Sequence, residues 1–205
     1  MYQTVAPTKS SLLRAKATLS FSLKGFDLLD KKRNVLIQEM MGLTDRAKSI
    51  QLRISALIVE AYQALQFAEV TMGSSAVSEI AQSVPEEKRY KVLLRSVMGV
   101  EIPTVVYRAE PAEASFGFFR TNPALDLAVA RFTELKFLIY ELAEIETSIY
   151  KLVVEIRKTQ KRANALEKIQ IPKYREIVKF ISEVLEEKER EDFFRLKKVK
   201  GKKRS

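Results

Sequence analysis

Two columns of apolar residues, each repeating every seven positions, run through the first third of this 205-residue chain. One holds Leu12, Leu19, Phe26, Arg33, Met40, Ala47, Ile54, Ala61 and Ala68; the other, three residues on, holds Ala15, Ser22, Leu29, Leu36, Leu43, Ile50, Leu57, Ala64 and Thr71. Fifteen of these eighteen positions are apolar. Only a repeat near 3.5 residues per turn keeps one stripe facing a partner helix for nine heptads, so the pattern predicts one side of a coiled coil. Six Gly and six Pro in the whole chain leave few turns, which again favours few, long elements.

A second run starts after Asn122-Pro123, a capping residue followed by a proline suited to the first helical position. Its predicted seam is Leu125, Ala128, Phe132, Leu135, Ile139, Leu142, Glu146, Ile149, Val153, Ile156, Gln160 and Ala163. Beyond Pro172, which should kink or restart the helix, Ile177, Phe180, Ile181, Val184 and Leu185 keep helical spacing, and helix is expected to about Lys198. Each run would be roughly 90 Å long, and one chain buries both stripes only by folding back on itself.

The predicted fold class is therefore all-α: a long antiparallel two-helix coiled coil of the N- and C-terminal segments, with a small helix and β-hairpin insertion at the tip. Its parts are an N-terminal helix over 1–72, a middle region over 73–123 and a C-terminal helix with a basic tail over 124–205. Facing residues should have numbers summing to about 197, which sets Arg33 near Gln160 and Asn164 as a polar pairing able to fix register. In the middle, Gly73-Ser74-Ser75 reads as a loop, Pro85 to Leu94 as a short helix and Met98 to Tyr107 as a strand. Pro103 confines that strand to an edge, and Glu110 to Phe119 is its candidate partner.

The absence of Cys and His removes disulfides, thiol nucleophiles, Cys/His zinc sites and histidine bases. The glycines at 25, 42, 73, 99, 117 and 201 spell no phosphate loop or dinucleotide fingerprint. Carboxylates sit among lysines and arginines on helix surfaces, so no catalytic, cofactor-binding or metal-ligating residue is assigned, and no cofactor. No apolar stretch is long enough to cross a bilayer, the N-terminus has no secretory pattern, and a cytoplasmic chain is expected.

The net charge of +10 is uneven. Residues 1–33 carry seven Lys/Arg against Asp27 and Asp30, and residues 193–205 carry seven with no acid. A hairpin brings those ends to one positive pole, suited to acidic protein surface, anionic lipid or nucleic acid, or serving only as a solubilising tail. The aromatics fall mostly at packing spacings and no groove-entering motif accompanies the charge. Leu23, Ile37, Ile58, Leu65 and Met72 widen the first seam, and Leu138, Ile145, Leu152 and Leu166 the second, which implies a further partner along the coil. Gly42 and Pro172 are the expected places for bending or close helix approach.

Three segments together resemble the family of D subunits of V-type and A-type ATPases. They are Pro7-Thr8-Lys9 with Leu19, Gly25, Leu28-Leu29 and Lys31-Lys32-Arg33-Asn34-Val35-Leu36; Lys161-Arg162-Ala163-Asn164-Ala165-Leu166-Glu167 with Ile171-Pro172; and Glu189-Arg190-Glu191-Asp192-Phe193-Phe194-Arg195-Leu196-Lys197-Lys198. The resemblance spans nearly the whole chain and is weakest in the middle. Asp30, Ser22 and Ala163 depart from the family's usual lysine, alanine and valine.

The resemblance implies a non-catalytic rotor axle that couples ATP hydrolysis or synthesis to ion movement. The coil would enter a hexamer of catalytic and non-catalytic subunits ends first, the F subunit would dock on its side, and a funnel-shaped subunit would connect it to the membrane ring. No nucleic acid is expected on this reading, and the membrane is met only through the complex. A basic coiled-coil scaffold or nucleic-acid-binding adaptor is the alternative that the residues alone leave open.

Overall fold

In the computed structural model, residues 6–84, 90–107, 117 and 121–202 are described. Helix α1 spans Lys9–Met72, α2 Ser74–Ser83 and α3 Pro123–Ala165; a π turn at Leu166–Gln170 leads into α4, Ile171–Lys202. Strands β1 (Tyr90–Val97) and β2 (Val100–Tyr107) pair antiparallel between α2 and α3. The architecture is two long helical segments with a small hairpin between them, as the heptads predict.

The helix ends are set by local chemistry. Thr8 caps α1, its Oγ1 accepting from the Ser11 N–H at 3.1 Å. Asn122 caps α3, its Oδ1 accepting from the Leu125 N–H at 3.2 Å. The same side chain donates through Nδ2 to Thr71 Oγ1 at 2.7 Å, clasping the last turn of α1 to the start of α3. Gly73 breaks α1 from α2 with φ +89°, a backbone angle that residues with a Cβ rarely adopt.

The chain forms two compact units, one from Leu36–Glu155 and the other from Met1–Val35 with Ile156–Ser205. In the first, the core is a series of layers between α1 and α3. Ala47, Ile50 and Ile145 form one layer, with Leu43, Ile54, Leu142 and Ile149 against it. Leu57, Leu135 and Leu138 form the next, flanked by Ile54 and Phe132. Ala68, Ala124 and Leu125 close the end, covered by Met72, Val129 and Ile80 of α2. In the other unit, Ala15, Ser22, Thr159, Ala163, Ile171 and Ile181 are buried. The buried hydroxyls of Ser22 and Ser148 donate to the carbonyls of Thr18 and Glu144, so neither stands unpaired in an apolar seam.

The middle region differs from its sequence reading. Helix begins at Ser74, inside the expected Gly73-Ser74-Ser75 loop, and runs to Ser83; of the helix expected over Pro85 to Leu94, residues 85–89 lie outside the described residues and Tyr90 to Leu94 is strand. The aromatic and β-branched residues of Tyr90–Val97 find an extended partner in β2 across a tight turn, and that pairing overrides helical spacing. β2 thus pairs with β1; apart from Gly117, the expected partner at Glu110–Phe119 lies outside the described residues. The turn itself, Met98-Gly99, has φ of +51° and +78°, the backbone of a type I′ hairpin loop.

The hairpin lies along the flank of α3. Tyr107 stacks on Phe137 with ring centroids 4.6 Å apart, and Tyr90 meets Tyr140 at 5.6 Å. Glu144, one helical turn further, takes the Val105 N–H on its Oε2 at 2.6 Å.

Candidate functional site

All nine buried residues of α1 fall on its two heptad columns: Ala15, Ser22, Leu36, Ala47, Ile50, Leu57, Ala61, Ala64 and Ala68. Leu12, Leu19, Phe26, Leu29, Leu43 and Ile54 are half-buried on the same stripe. On α3, Leu125, Ala128 and Leu135 are buried, with Phe132, Leu142, Ile149, Val153 and Ile156 half-buried. Ile139 and Glu146, however, are exposed, whereas Leu138, Ile145, Leu152 and Thr159 are buried.

The second seam is thus 135, 138, 142, 145, 149, 152, 156, 159 and 163, with one column a residue earlier than the spacing suggested. The choice is physical: the column at 138, 145 and 152 is uninterrupted aliphatic, while that at 139, 146 and 153 carries Glu146. Leu138, Ile145 and Leu152 therefore serve the internal core and imply no further partner.

Around Arg33 the structure builds one polar layer. Arg33 Nη1 donates to Gln160 Oε1 at 2.7 Å, and Gln160 Nε2 donates to Asn164 Oδ1 at 2.7 Å. Arg33 Nη2 also lies 2.6 Å from Asp30 Oδ1 and 3.3 Å from Asn34 Oδ1. Asn34 in turn donates to Asp30 Oδ2. Asp30 neutralises a half-buried guanidinium that would otherwise be costly. Nearby, Lys31 donates to Asp27 at 2.8 Å, which raises its pKa. Lys32 is half-buried beside this layer.

The other motif residues divide between packing and surface. Leu166 Cδ1 lies 3.6 Å from where a Cβ on Gly25 would sit, an ordinary van der Waals contact, while Gly42 is exposed with nothing within 4 Å of that position, so no close helix approach occurs at Gly42. Arg162, Glu167, Pro172, Arg190 and Lys197 are exposed. Pro172 follows the π turn directly; its ring and missing N–H disrupt an α ladder, and the wider turn, closed by the Ile171 N–H on Leu166 O, accommodates that.

That turn also inserts one residue into the heptad phase. Past it, Ile171 and Ile181 are buried and Tyr174 and Val178 half-buried, while Phe180 is 55% exposed. No sequence signal apart from Pro172 marks the insertion.

The end of α4 is a charged, unpacked helix. Lys9 pairs with Glu189 at 3.0 Å, and beyond that Arg195 bonds back to Glu191 and Asp192. Phe193, Phe194 and Leu196 stay exposed, Phe193 and Phe194 in an edge-on ring contact. Open depressions along this helix are lined by Glu186, Glu189, Arg190, Phe193 and Phe194. Among the described residues there is no cluster of His, Cys, Asp and Glu able to hold a metal.

These features define a structural component of a larger assembly: paired helices that supply a scaffold, with side chains exposed for contact at its terminal helix and its hairpin. Residues 11–201 match the family described as the D subunit of ATP synthase. The chain is 41% identical over 198 residues to the V-type ATP synthase D subunit of Thermotoga neapolitana, covering 97% of this chain and 98% of that one. It is 41% identical over 200 residues to the A-type ATP synthase D subunit of Thermococcus sibiricus, covering 96% and 94%, and 39% identical over the same span to that of Pyrococcus furiosus. The chain belongs to the family of ATP synthase D subunits and is part of a V/A-type ATPase complex.

Proposed function

We propose that this subunit is the central axle of the rotary complex, non-catalytic itself, carrying torque between ATP hydrolysis or synthesis in the catalytic hexamer and ion translocation in the membrane ring. The supporting observation is the paired seam of α1 with α3, held in register at the Arg33–Gln160–Asn164 layer. Two packed helices resist bending and twisting far better than one, because each deformation must break interdigitated side chains on both.

The terminal helix of α4, with its exposed Phe193, Phe194 and Leu196 and the basic residues that follow, meets the catalytic and non-catalytic subunits. The hairpin faces the connecting subunit of the membrane ring, and the F subunit sits on the flank of the coil. The protein is peripheral, on the cytoplasmic side, and reaches the membrane through the complex; among the described residues no helix is long and apolar enough to cross a membrane.

The chain has no cysteine, so a single introduced thiol is unique. With Phe194→Cys cross-linked to a catalytic subunit, turnover should stop and return on reduction, and a bead on the hairpin should rotate only when the link is open. Unimpaired ATP-driven ion transport in the cross-linked complex would show that this protein is not the part that turns.

A further inference from the structure

The two edges of the hairpin are treated differently. With a two-residue loop, Val97 and Val100 are the hydrogen-bonded pair, and the alternation of an antiparallel ladder turns the amides of residues 101, 103 and 105 on β2, and of 92, 94 and 96 on β1, away from each other. On β2 that outer edge is closed: Pro103 has no N–H, and the Val105 N–H is held by Glu144. On β1 no such device exists among the described residues. Val92, Leu94 and Ser96 direct their amides to an edge that meets no third strand among the described residues, and seven of the eight β1 residues are exposed, Leu94 at 62%.

An edge of this length with apolar side chains on both faces is a template for another strand, which proteins normally blunt. Here one edge is blunted and the other is left open.

We infer that β1 accepts an extended segment of another subunit of the complex as a third strand, and that this segment carries two carboxylates four residues apart. The charge requirement comes from Lys91 and Arg95, which share one face on either side of Leu93, with no acidic residue on the strand. The same charges disfavour a second copy of this chain: antiparallel self-pairing about Leu93 sets Lys91 beside Arg95 twice over, and pairing about Leu94, which avoids that, still gathers the four cations of the two strands on one face.

The inference rests on the reading that the hairpin faces partner subunits, and the test is single-amide hydrogen exchange on the full chain, free and within the assembled complex. The Val92, Leu94 and Ser96 amides should exchange about tenfold or more slowly in the complex than in the free chain. Leu94→Pro and Val92→Pro remove outward amides and spare the β1–β2 ladder; each should weaken retention of the protein in the complex about tenfold while leaving its helical melting unchanged. Equal exchange rates in both states overturn the inference.

Protection already present in the free chain overturns it too, in favour of a second copy if dilution removes it and of the chain's own residues if dilution does not. Rotation is read separately on the same preparation. Unprotected amides in a rotating complex therefore sink this inference alone, and protected amides in a complex that does not rotate sink only the axle.

Discussion

Arg33 on α1 and Gln160 on α3 meet through a 2.7 Å hydrogen bond across the seam. Such a polar contact contributes less to stability than to alignment, because in any shifted register Arg33 keeps Asp30 of its own helix but the Gln160 amide loses its guanidinium partner. Gln160→Leu should cost about 1–2 kcal/mol in urea unfolding by removing the Arg33 bond across the seam and the donor to Asn164. The double variant Arg33→Met with Gln160→Leu should recover most of that loss, while disulfide trapping detects misaligned helices. A double variant no more stable than Gln160→Leu would mean that the layer holds the fold and does not merely align it.

The phase of the α3 seam separates two neighbouring isoleucine positions. Ile145 is 2% exposed and Ile139 is 46% exposed. Ile145→Ala should lower stability by about 3 kcal/mol, whereas Ile139→Ala should cost less than about 1 kcal/mol. Thermal melting of the two purified variants decides it, and equal losses would return Ile139 to the core.

Removing one residue from the π turn should be tolerated when Pro172→Ala accompanies it, because the proline ring would otherwise sit inside an α ladder. Ile169 is 67% exposed, and its deletion leaves Ile171, Tyr174, Val178 and Ile181 on the heptad positions that follow Ala163 in an unbroken α-helix. The midpoint of thermal unfolding should stay within about 2–4 °C of the parent, the shift that 1 kcal/mol produces in a chain of this size. A large fall, or burial of Phe180 in the variant's structure, contradicts the phase argument.

Gly42 lies within α1, exposed, with nothing within 4 Å of the position its Cβ would take. Gly42→Ala should therefore raise stability by about 1 kcal/mol through helix propensity alone. Chemical denaturation measures this directly, and a loss would reveal a contact that the glycine serves in the assembled complex.

Asn122-Pro123 was readable as a helix start because a cap is a local bargain between one side chain and the next three amides, whereas the Thr8 cap of α1 was not read from the sequence. The α1 seam was readable for a related reason: nine heptads with few polar interruptions leave one stripe to bury. The α3 seam was legible only in part, since Ile139 and Val153 are as apolar as Leu138 and Leu152, and Glu146 is the one residue that ranks the two columns. The hairpin was half legible. Val100 to Tyr107 carries β-branched residues and a proline, but Tyr90 to Val97 has both faces exposed and so shows no alternation of apolar and polar residues for a strand reading to use.

From the sequence by itself came the two long helices, their antiparallel return, the meeting of Arg33 with Gln160 and the family of the chain, all consequences of patterns written over many residues. Tertiary structure alone decided where the extra residue of the π turn falls, that Tyr90 to Val97 is strand, and that Glu144 ties down one edge of a hairpin whose other edge meets no strand among the described residues. Those outcomes depend on the surface each residue meets across space, and a linear pattern constrains that surface only when a single face can satisfy it.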